Sequence, residues 1–200
     1  MSTTKEKILT TALALFAANG YEAVSVSDIA GQLGMTKGAL YKHYKNKRDI
    51  FDNILTRMER QDAERARAFA LPEGTLSQME ETYRGASLEQ LTAFSRAQFR
   101  YWTEDDFAAP FRRMLTLEQY RGDEMGRLYQ QYLAAGPLGY VADLLESLGF
   151  DCPQCRAAEL YAPMFCLYSV YDGSADKAAV TVLADACISR WQARLMERAV

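Results

Sequence analysis

Histidine, proline and cysteine are scarce in this chain of 200 residues, which contains one, five and four of them respectively. Because His43 is the single histidine, one chain can build neither a metal cage of several imidazoles nor a histidine-based catalytic triad. Nowhere does the sequence hold the roughly 18 consecutive apolar residues of a membrane span. The first residues lack a small-residue cleavage site, so we expect a cytoplasmic protein with no membrane partner.

The four cysteines all lie in the last quarter of the chain, at Cys152, Cys155, Cys166 and Cys187. Without an export signal, we expect them to be reduced rather than to form a disulfide scaffold. Cys152 and Cys155 form a Cys-x-x-Cys motif at an expected helix start, and three interpretations are open. The pair could belong to a zinc site, which needs two further ligands, act as a redox sensor, or be incidental, which we favour.

The composition, with 49% hydrophobic and 24% charged residues, is that of a soluble globular protein of one or two domains. The net charge of −3 conceals an asymmetry, because residues 1–67 carry 11 basic and 8 acidic side chains. Residues 36–48 hold five basic side chains and no acidic one. Such a patch is often only a solvated face, but its position predicts a small basic module ahead of a larger acidic one.

Apolar periodicity predicts a helix over residues 4–18, with Thr4 as its N-cap. Ser25 and Asp28 have the spacing of a capping box that opens a second short helix, and Gly34 suits the turn that ends it. Thr36 can cap a third helix that buries Leu40 and Tyr44. This order predicts a helix-turn-helix, and an ordinary three-helix core without DNA contacts is the alternative.

Three segments carry a family resemblance: GYEA at residues 20–23, SVSDIA at 25–30 and LGMTKGALYKHYKNK at 33–47. Together they resemble the N-terminal domain of the TetR family of bacterial transcription regulators. Beyond the first fifty residues, the likeness is architectural only. The resemblance implies an all-α fold, with a three-helix DNA-binding domain over residues 1–47 and a larger helical domain over 48–200 that binds a ligand and dimerises.

Residues near the start of the recognition helix reach deepest into the major groove, which points to Lys37, Gly38, Ala39 and Tyr41 for base contacts. A second group is expected to hold the DNA phosphates and fix the register of binding. This group is Ser25, Ser27, Thr36, Tyr41, Lys42, His43 and Lys47. The family resemblance adds weight to His43, which could otherwise be structural.

The rest of the chain also has helical periodicity, with helices expected at about 47–70, from Ser87 to the acidic residues 104–106, and at about 107–121, 123–134, 137–148, 153–171 and 174–198. Many aromatic side chains lie in this part, and they can be core and interface filling or the lining of an amphipathic pocket. The pocket residues would be Phe94, Tyr101, Trp102, Phe111, Met114, Tyr120, Tyr129 and Tyr132. Arg96 and Arg100 could meet an anionic ligand, but we expect them to pair with Glu104.

The sequence thus predicts a homodimer that binds double-stranded DNA at a palindromic operator, acts as a repressor and is released by an unknown small-molecule effector. The resemblance implies that the last two helices of each chain pair with those of a second copy into a four-helix bundle. No cofactor is expected, and no nucleophile-base pair, metal cluster or phosphate loop points to an enzyme. A nonspecific architectural DNA-binding protein and a cysteine-based redox-sensing regulator are the alternatives.

Overall fold

The computed structural model describes residues 3–72, 81, 83 and 85–197. The chain divides into two compact units. The first comprises Met1–Asp62 and Asp106–Tyr129, and the second comprises Ala63–Asp105 and Gln130–Val200. The functional boundary expected between residues 47 and 48 stays a prediction.

Every regular element among the described residues is a helix, which confirms the all-α fold class. The helices are α1 Thr4–Asn19, α2 Val26–Gln32, α3 Lys37–Tyr41, α4 Lys47–Ala68, α5 Leu88–Glu104, α6 Ala108–Glu118, α7 Asp123–Leu133, α8 Ala135–Ser147, α9 Pro153–Gly173 and α10 Lys177–Glu197. In the part of the chain that is described, none of them combines the length and apolar character needed to cross a bilayer.

Several helix ends differ from the prediction, and local capping explains two of them. Thr3, not Thr4, caps α1, because its hydroxyl accepts the Glu6 amide at 3.2 Å. The last helix begins at Lys177 rather than 174, because the Asp176 carboxylate accepts the Ala179 amide at 2.9 Å. Its predicted last residue, 198, lies outside the described residues.

The core of the first unit is apolar and largely formed by α1, α4 and α6. Phe16, Ile50 and Phe51 are fully buried, and the ring of Tyr21 lies 5.0 Å from the rings of both Phe16 and Phe51. α1 packs against α6, although about ninety residues separate them in sequence. This packing places a helix from the middle of the chain beside the N-terminal segment.

In the second unit, α9 packs against both α8 and α10, and α10 also packs against α5. The Arg100 guanidinium pairs with the Asp185 carboxylate at 2.5 Å, and Arg96 donates to the Ser189 hydroxyl at 2.9 Å. The expected pairing of these arginines with Glu104 is therefore wrong. Glu104 instead accepts a hydrogen bond from Thr181 at 3.4 Å, since the packing of α10 on α5 supplies nearer partners to both arginines.

The expectation that all four cysteines are thiols is also wrong in one place. Cys152 and Cys155 are joined by a disulfide at the start of α9, with their Cα atoms 5.5 Å apart. Cys166 and Cys187 lie outside this bond. The bond is possible because a helical first turn brings side chains three positions apart onto one side of the backbone.

Candidate nucleic-acid interface

The start of α2 is fixed by a reciprocal pair of hydrogen bonds, as the sequence predicts. The Asp28 amide donates to the Ser25 hydroxyl at 3.2 Å, and the Ser25 amide donates to the Asp28 carboxylate at 2.8 Å. These hydrogen bonds from Ser25 hold the pKa of Asp28 below its ordinary value. Ser25 and Ser27 are both exposed, so two hydroxyls stand at the solvent end of α2.

The turn between α2 and α3 depends on Gly34, which has a φ of +64°. Glycine adopts this left-handed conformation without the steric penalty that a Cβ brings. The Thr36 hydroxyl then accepts the Ala39 amide at 3.1 Å and caps α3. The predicted turn and both predicted caps are thus present.

α3 presents one buried side chain and a mostly exposed polar face. Leu40 is completely buried, and Tyr44, one turn further on, is 2% exposed. Burial, with the Asp49 carboxylate adding to its effect, raises the pKa of Tyr44 to about 12, so its neutral hydroxyl donates to the Lys5 carbonyl at 3.2 Å. These two side chains anchor α3 on the core of the first unit.

The side chains predicted to contact bases lie on the solvent side of α3. Lys37 and Gly38 are exposed, Ala39 is half-buried, and Tyr41 is 44% exposed. The Lys37 ammonium lies 5.7 Å from the centre of the Tyr41 ring, within cation–π range. A cation, an aromatic ring and a glycine, whose missing side chain lets DNA approach the backbone closely, therefore share one exposed surface.

Among the residues predicted to hold phosphates, Thr36 and Lys42 are exposed, and His43 is half-buried just beyond α3. Lys47 differs from them, because its ammonium donates to the Tyr21 carbonyl at 2.8 Å and to the Glu22 carbonyl at 3.3 Å. The same ammonium lies 4.3 Å from the centre of the Tyr21 ring. In this structure Lys47 therefore holds the turn between α1 and α2.

The carboxylate of Glu118, which the sequence did not single out, also contributes to this turn. Glu118 is 1% exposed, and it accepts the Tyr21 amide at 3.1 Å. A Cβ on Gly20, which has a φ of +85°, would come within 2.5 Å of the Glu118 carboxylate. The residues that meet here are 97 positions apart, so no local pattern could have revealed the contact.

A second contact that the sequence did not reveal joins Arg48 to Glu124, near the same turn. Both terminal nitrogens of the Arg48 guanidinium donate to the Glu124 carboxylate at 2.7 Å. Hydrogen bonding from Arg48 holds the pKa of Glu124 below its ordinary value. α4 is thus linked to α7 next to the start of the predicted interface.

The residues predicted to line an effector pocket fall into both units. Phe111, Met114, Tyr120 and Tyr129 belong to the first unit, and Phe94, Tyr101, Trp102 and Tyr132 belong to the second. Phe111 and Met114 are completely buried, whereas Tyr120 is 91% exposed. Because α6 packs on α1, its apolar side chains fill the core of the first unit.

In the second unit, Phe94 belongs to an aromatic cluster that the sequence reveals only in part. Its ring centre lies 5.6 Å from that of Phe69 and 6.2 Å from that of Tyr140, and Tyr140 lies 6.4 Å from Tyr83. Burial raises the pKa of Tyr140, and its hydroxyl donates to the Pro72 carbonyl at 2.8 Å. Phe69, Phe94, Tyr83 and Tyr140 are called the aromatic cluster below.

Tyr101 and Trp102 occupy a different environment, where their rings lie 5.4 Å apart. The Arg65 guanidinium stacks 4.0 Å from the Tyr101 ring and is held there by two hydrogen bonds to Gln98. Tyr132 is also buried in this unit. A charged group therefore covers Tyr101, whereas the ring neighbours of Phe94 are Phe69 and Tyr140.

Comparison with known proteins identifies the N-terminal segment. Residues 8–54 match the bacterial regulatory proteins of the tetR family. The HTH-type transcriptional regulator AcrR of Shigella flexneri is 43% identical over 51 residues, which are 26% of this chain. The N-terminal segment therefore matches the N-terminal region of the TetR family.

The sequence match with AcrR is local. Solved structures of other proteins, in contrast, match the fold of nearly the whole chain. The aligned segment spans about a quarter of AcrR, 24% of its length. SmeT, the repressor of the Stenotrophomonas maltophilia multidrug efflux pump SmeDEF, has a similar fold, with a TM-score of 0.62 at 19% identity. That alignment covers 96% of this chain and 90% of SmeT.

PfmR from Thermus thermophilus, a TetR-family transcriptional regulator, also has a similar fold, with a TM-score of 0.58 at 23% identity. The alignment covers 96% of this chain and 97% of PfmR. At these identities, the likeness concerns the fold alone. The chain therefore combines an N-terminal segment that matches the TetR family with an all-helical fold similar to those of SmeT and PfmR.

Proposed function

We propose that this chain is a transcription regulator that binds double-stranded DNA through α2 and α3. The observation that carries the proposal is the exposed face of α3, where Lys37 and Tyr41 stand clear of the core that Leu40 anchors. The family match over residues 8–54 supports it. As in helix-turn-helix proteins, α3 would lie in the major groove while the start of α2 contacts the backbone.

The residue types suit this division of roles. Lysine can donate to guanine O6 and N7, and the Ala39 methyl group can meet a thymine methyl group. The hydroxyls of Ser25, Ser27 and Thr36 and the side chains of Lys42 and His43 would contact phosphates and fix the register. Lys47 would join them only if its ammonium left the Tyr21 and Glu22 carbonyls, so we expect a smaller phosphate contribution from it.

The first test is selection of bound sequences from a random duplex pool with the purified chain. We expect a palindrome whose half-sites are separated by about one helical turn or a multiple of it. Absence of any enriched sequence, together with binding governed by salt alone, would contradict specific recognition and favour the architectural alternative.

Two lysine variants then separate base recognition from general electrostatic attraction. Lys37→Ala should lower affinity for the selected sequence by about ten- to a hundred-fold, because it removes a base contact. Lys45→Ala is the matched control, since it removes the same charge from an exposed position outside the predicted interface. Equal losses of the specific-to-nonspecific affinity ratio in both variants would contradict the assignment of Lys37.

We further propose that the chain is a homodimer joined through α9 and α10. Five of the eight large apolar side chains that are exposed among the described residues lie on these two helices. On α10, Val182 is 67% exposed and Leu183 is 50% exposed, and Ala179 and Ala186 are exposed beside them. Their spacing places all four on one face, which suits close packing against a second copy.

The dimer proposal is tested by the molar mass in solution. Leu183→Glu should reduce the mass from that of two chains to that of one, because a carboxylate would be buried at the interface. Leu117→Glu on α6 is the matched control, because Leu117 has a similar exposure of 49%. An unchanged dimer in Leu183→Glu would place the interface elsewhere.

The regulator would act as a repressor that a small apolar molecule releases from DNA. Such a molecule must favour one conformation over another by differential affinity. We assign the effector contact to Phe94 and its neighbours in the aromatic cluster, where half-buried rings offer stacking surfaces. Phe111 and Met114, predicted from the sequence to line the pocket, are completely buried in the first unit, so we expect them to contribute only indirectly.

Binding of the dye 1-anilinonaphthalene-8-sulfonate tests the aromatic cluster whatever the natural effector is. We expect saturable fluorescence enhancement that Phe94→Ala weakens. Tyr120→Ala is the control, because this ring is solvent-exposed and outside the cluster. Equal fluorescence from the wild type and Phe94→Ala would remove the cluster as the binding site.

A further inference from the structure

We propose that Cys152 and Cys155 form a reversible redox site that exchanges with low-molecular-weight thiols and disulfides and controls the start of α9. The two side chains are joined by a disulfide. Both residues are exposed, so a small thiol can reach either sulfur. The proposal does not depend on DNA binding.

The position of the pair on α9 favours reaction of its thiols. Cys152 is the N-cap residue and Cys155 lies in the first turn, where unpaired amides and the helix dipole stabilise a thiolate. Cys152 has a φ of +46°, a left-handed conformation that is unfavourable for a residue with a Cβ. The disulfide closes a short ring around Pro153 and holds this conformation in place.

The residue after the pair connects it to the packing of α9 and α10. The Arg156 guanidinium donates to the Asp151 carbonyl at 2.8 Å and also pairs with the Asp151 carboxylate. The Arg156 carbonyl accepts the indole N–H of Trp191 at 3.0 Å, and Trp191 is 1% exposed. The first turn of α9 is thus an attachment point for α10.

The reaction of the two cysteines with a small disulfide proceeds in two thiol–disulfide exchange steps. The thiolate of one cysteine attacks a sulfur of a small disulfide such as oxidised glutathione, which forms a mixed disulfide and releases one glutathione thiolate. The second thiolate then attacks the protein sulfur of the mixed disulfide and releases the other glutathione. Two thiols of the protein are oxidised and one glutathione disulfide is reduced to two thiols, and excess reduced glutathione reverses both steps.

The first experiment equilibrates the full chain in glutathione buffers of varied oxidation state, blocks remaining thiols by alkylation and measures the peptide that carries both cysteines by mass spectrometry. We expect conversion from the doubly alkylated form to the intramolecular disulfide as the buffer becomes more oxidising, and full reversal on reduction. A peptide that stays doubly alkylated, or that accumulates only glutathione adducts, would overturn the proposal.

The second measurement follows hydrogen exchange in the first turn of α9. Because the ring constrains this turn, we expect the Arg156 amide, which donates to the Cys152 carbonyl at 3.1 Å, to exchange about tenfold faster in the reduced chain and in Cys155→Ser. Cys166→Ser is the matched control, since Cys166 is an exposed cysteine of the same helix outside the disulfide. Equal exchange rates in the oxidised and reduced chains would contradict the proposal that the disulfide controls the start of α9.

Discussion

Two groups of helices begin in different ways. α2 and α3 start at Ser25 and Thr36, whose hydroxyls accept amides of the following turn. α6, α8 and α9 start at Phe107, Ala134 and Cys152, and none of these three side chains accepts a capping hydrogen bond. The first group is therefore defined by local chemistry, whereas the second depends on packing.

This difference shows where short-range signals are needed. α2 and α3 contain seven and five residues, too few to be stable as isolated helices, so caps and the Gly34 turn must specify them. α9 has 21 residues and buries a face against both α8 and α10. Tertiary contacts thus stabilise this helix, although its start has a left-handed cysteine that the disulfide constrains.

The largest expected effect concerns packing at the start of α9. Trp191→Ala should lower the free energy of unfolding by about 4 kcal/mol, because it empties a buried indole site and removes the indole hydrogen bond to the Arg156 carbonyl. Trp191→Phe keeps most of the volume and should lose only about 1–2 kcal/mol. Chemical denaturation measures both, and equal losses would mean that the hydrogen bond, not packing, dominates.

The next effect concerns the turn between α1 and α2. Gly20→Ala should cost about 2 kcal/mol, because its positive φ and the nearby Glu118 carboxylate both oppose a Cβ. Gly31→Ala in α2 should instead stabilise the chain by about 0.5 kcal/mol, since a Cβ there meets nothing within 4 Å. Thermal unfolding of the two variants checks the sign, and destabilisation by both would contradict this distinction.

A smaller effect is expected from the cap of α3. Thr36→Ala should lower the free energy of unfolding by about 1 kcal/mol, because the Ala39 amide loses its acceptor. Thr36→Ser keeps the hydroxyl and should remain close to the wild type. If denaturation midpoints showed no loss in Thr36→Ala, local caps would not be what defines this helix.

The smallest effect is the pH dependence of the Arg48–Glu124 ion pair. Because Arg48 lowers the pKa of folded Glu124, the pair stabilises the chain at neutral pH, and this contribution disappears as the pH falls below about 4.5 through the folded pKa. Both side chains are about half exposed, so the contribution is about 0.5 kcal/mol. Glu124→Gln should differ from the wild type at pH 7 and converge with it at pH 3.

The features that could be predicted from the sequence depend on local contacts, and those that could not depend on packing between distant helices. The capping box at Ser25, the turn at Gly34 and burial of Leu40 depend on neighbours within a few residues, and each was predicted. The pairing of Arg100 with Asp185 depends on a helix 85 positions away, and it was missed. The effector contacts stay predictions, because aromatic residues alone do not distinguish a core from a binding site.

Local sequence signals were enough to predict the all-helical class, the helix-turn-helix and the exposed character of Lys37 and Tyr41, because caps, glycine turns and apolar periodicity act over one or two helical turns. The tertiary structure decided that Glu118 closes the turn beside Gly20 and that Phe111 belongs to the first core. It also placed the Trp191 indole on the first turn of α9. These contacts join residues tens of positions apart, and only the packing of whole helices brings such residues together.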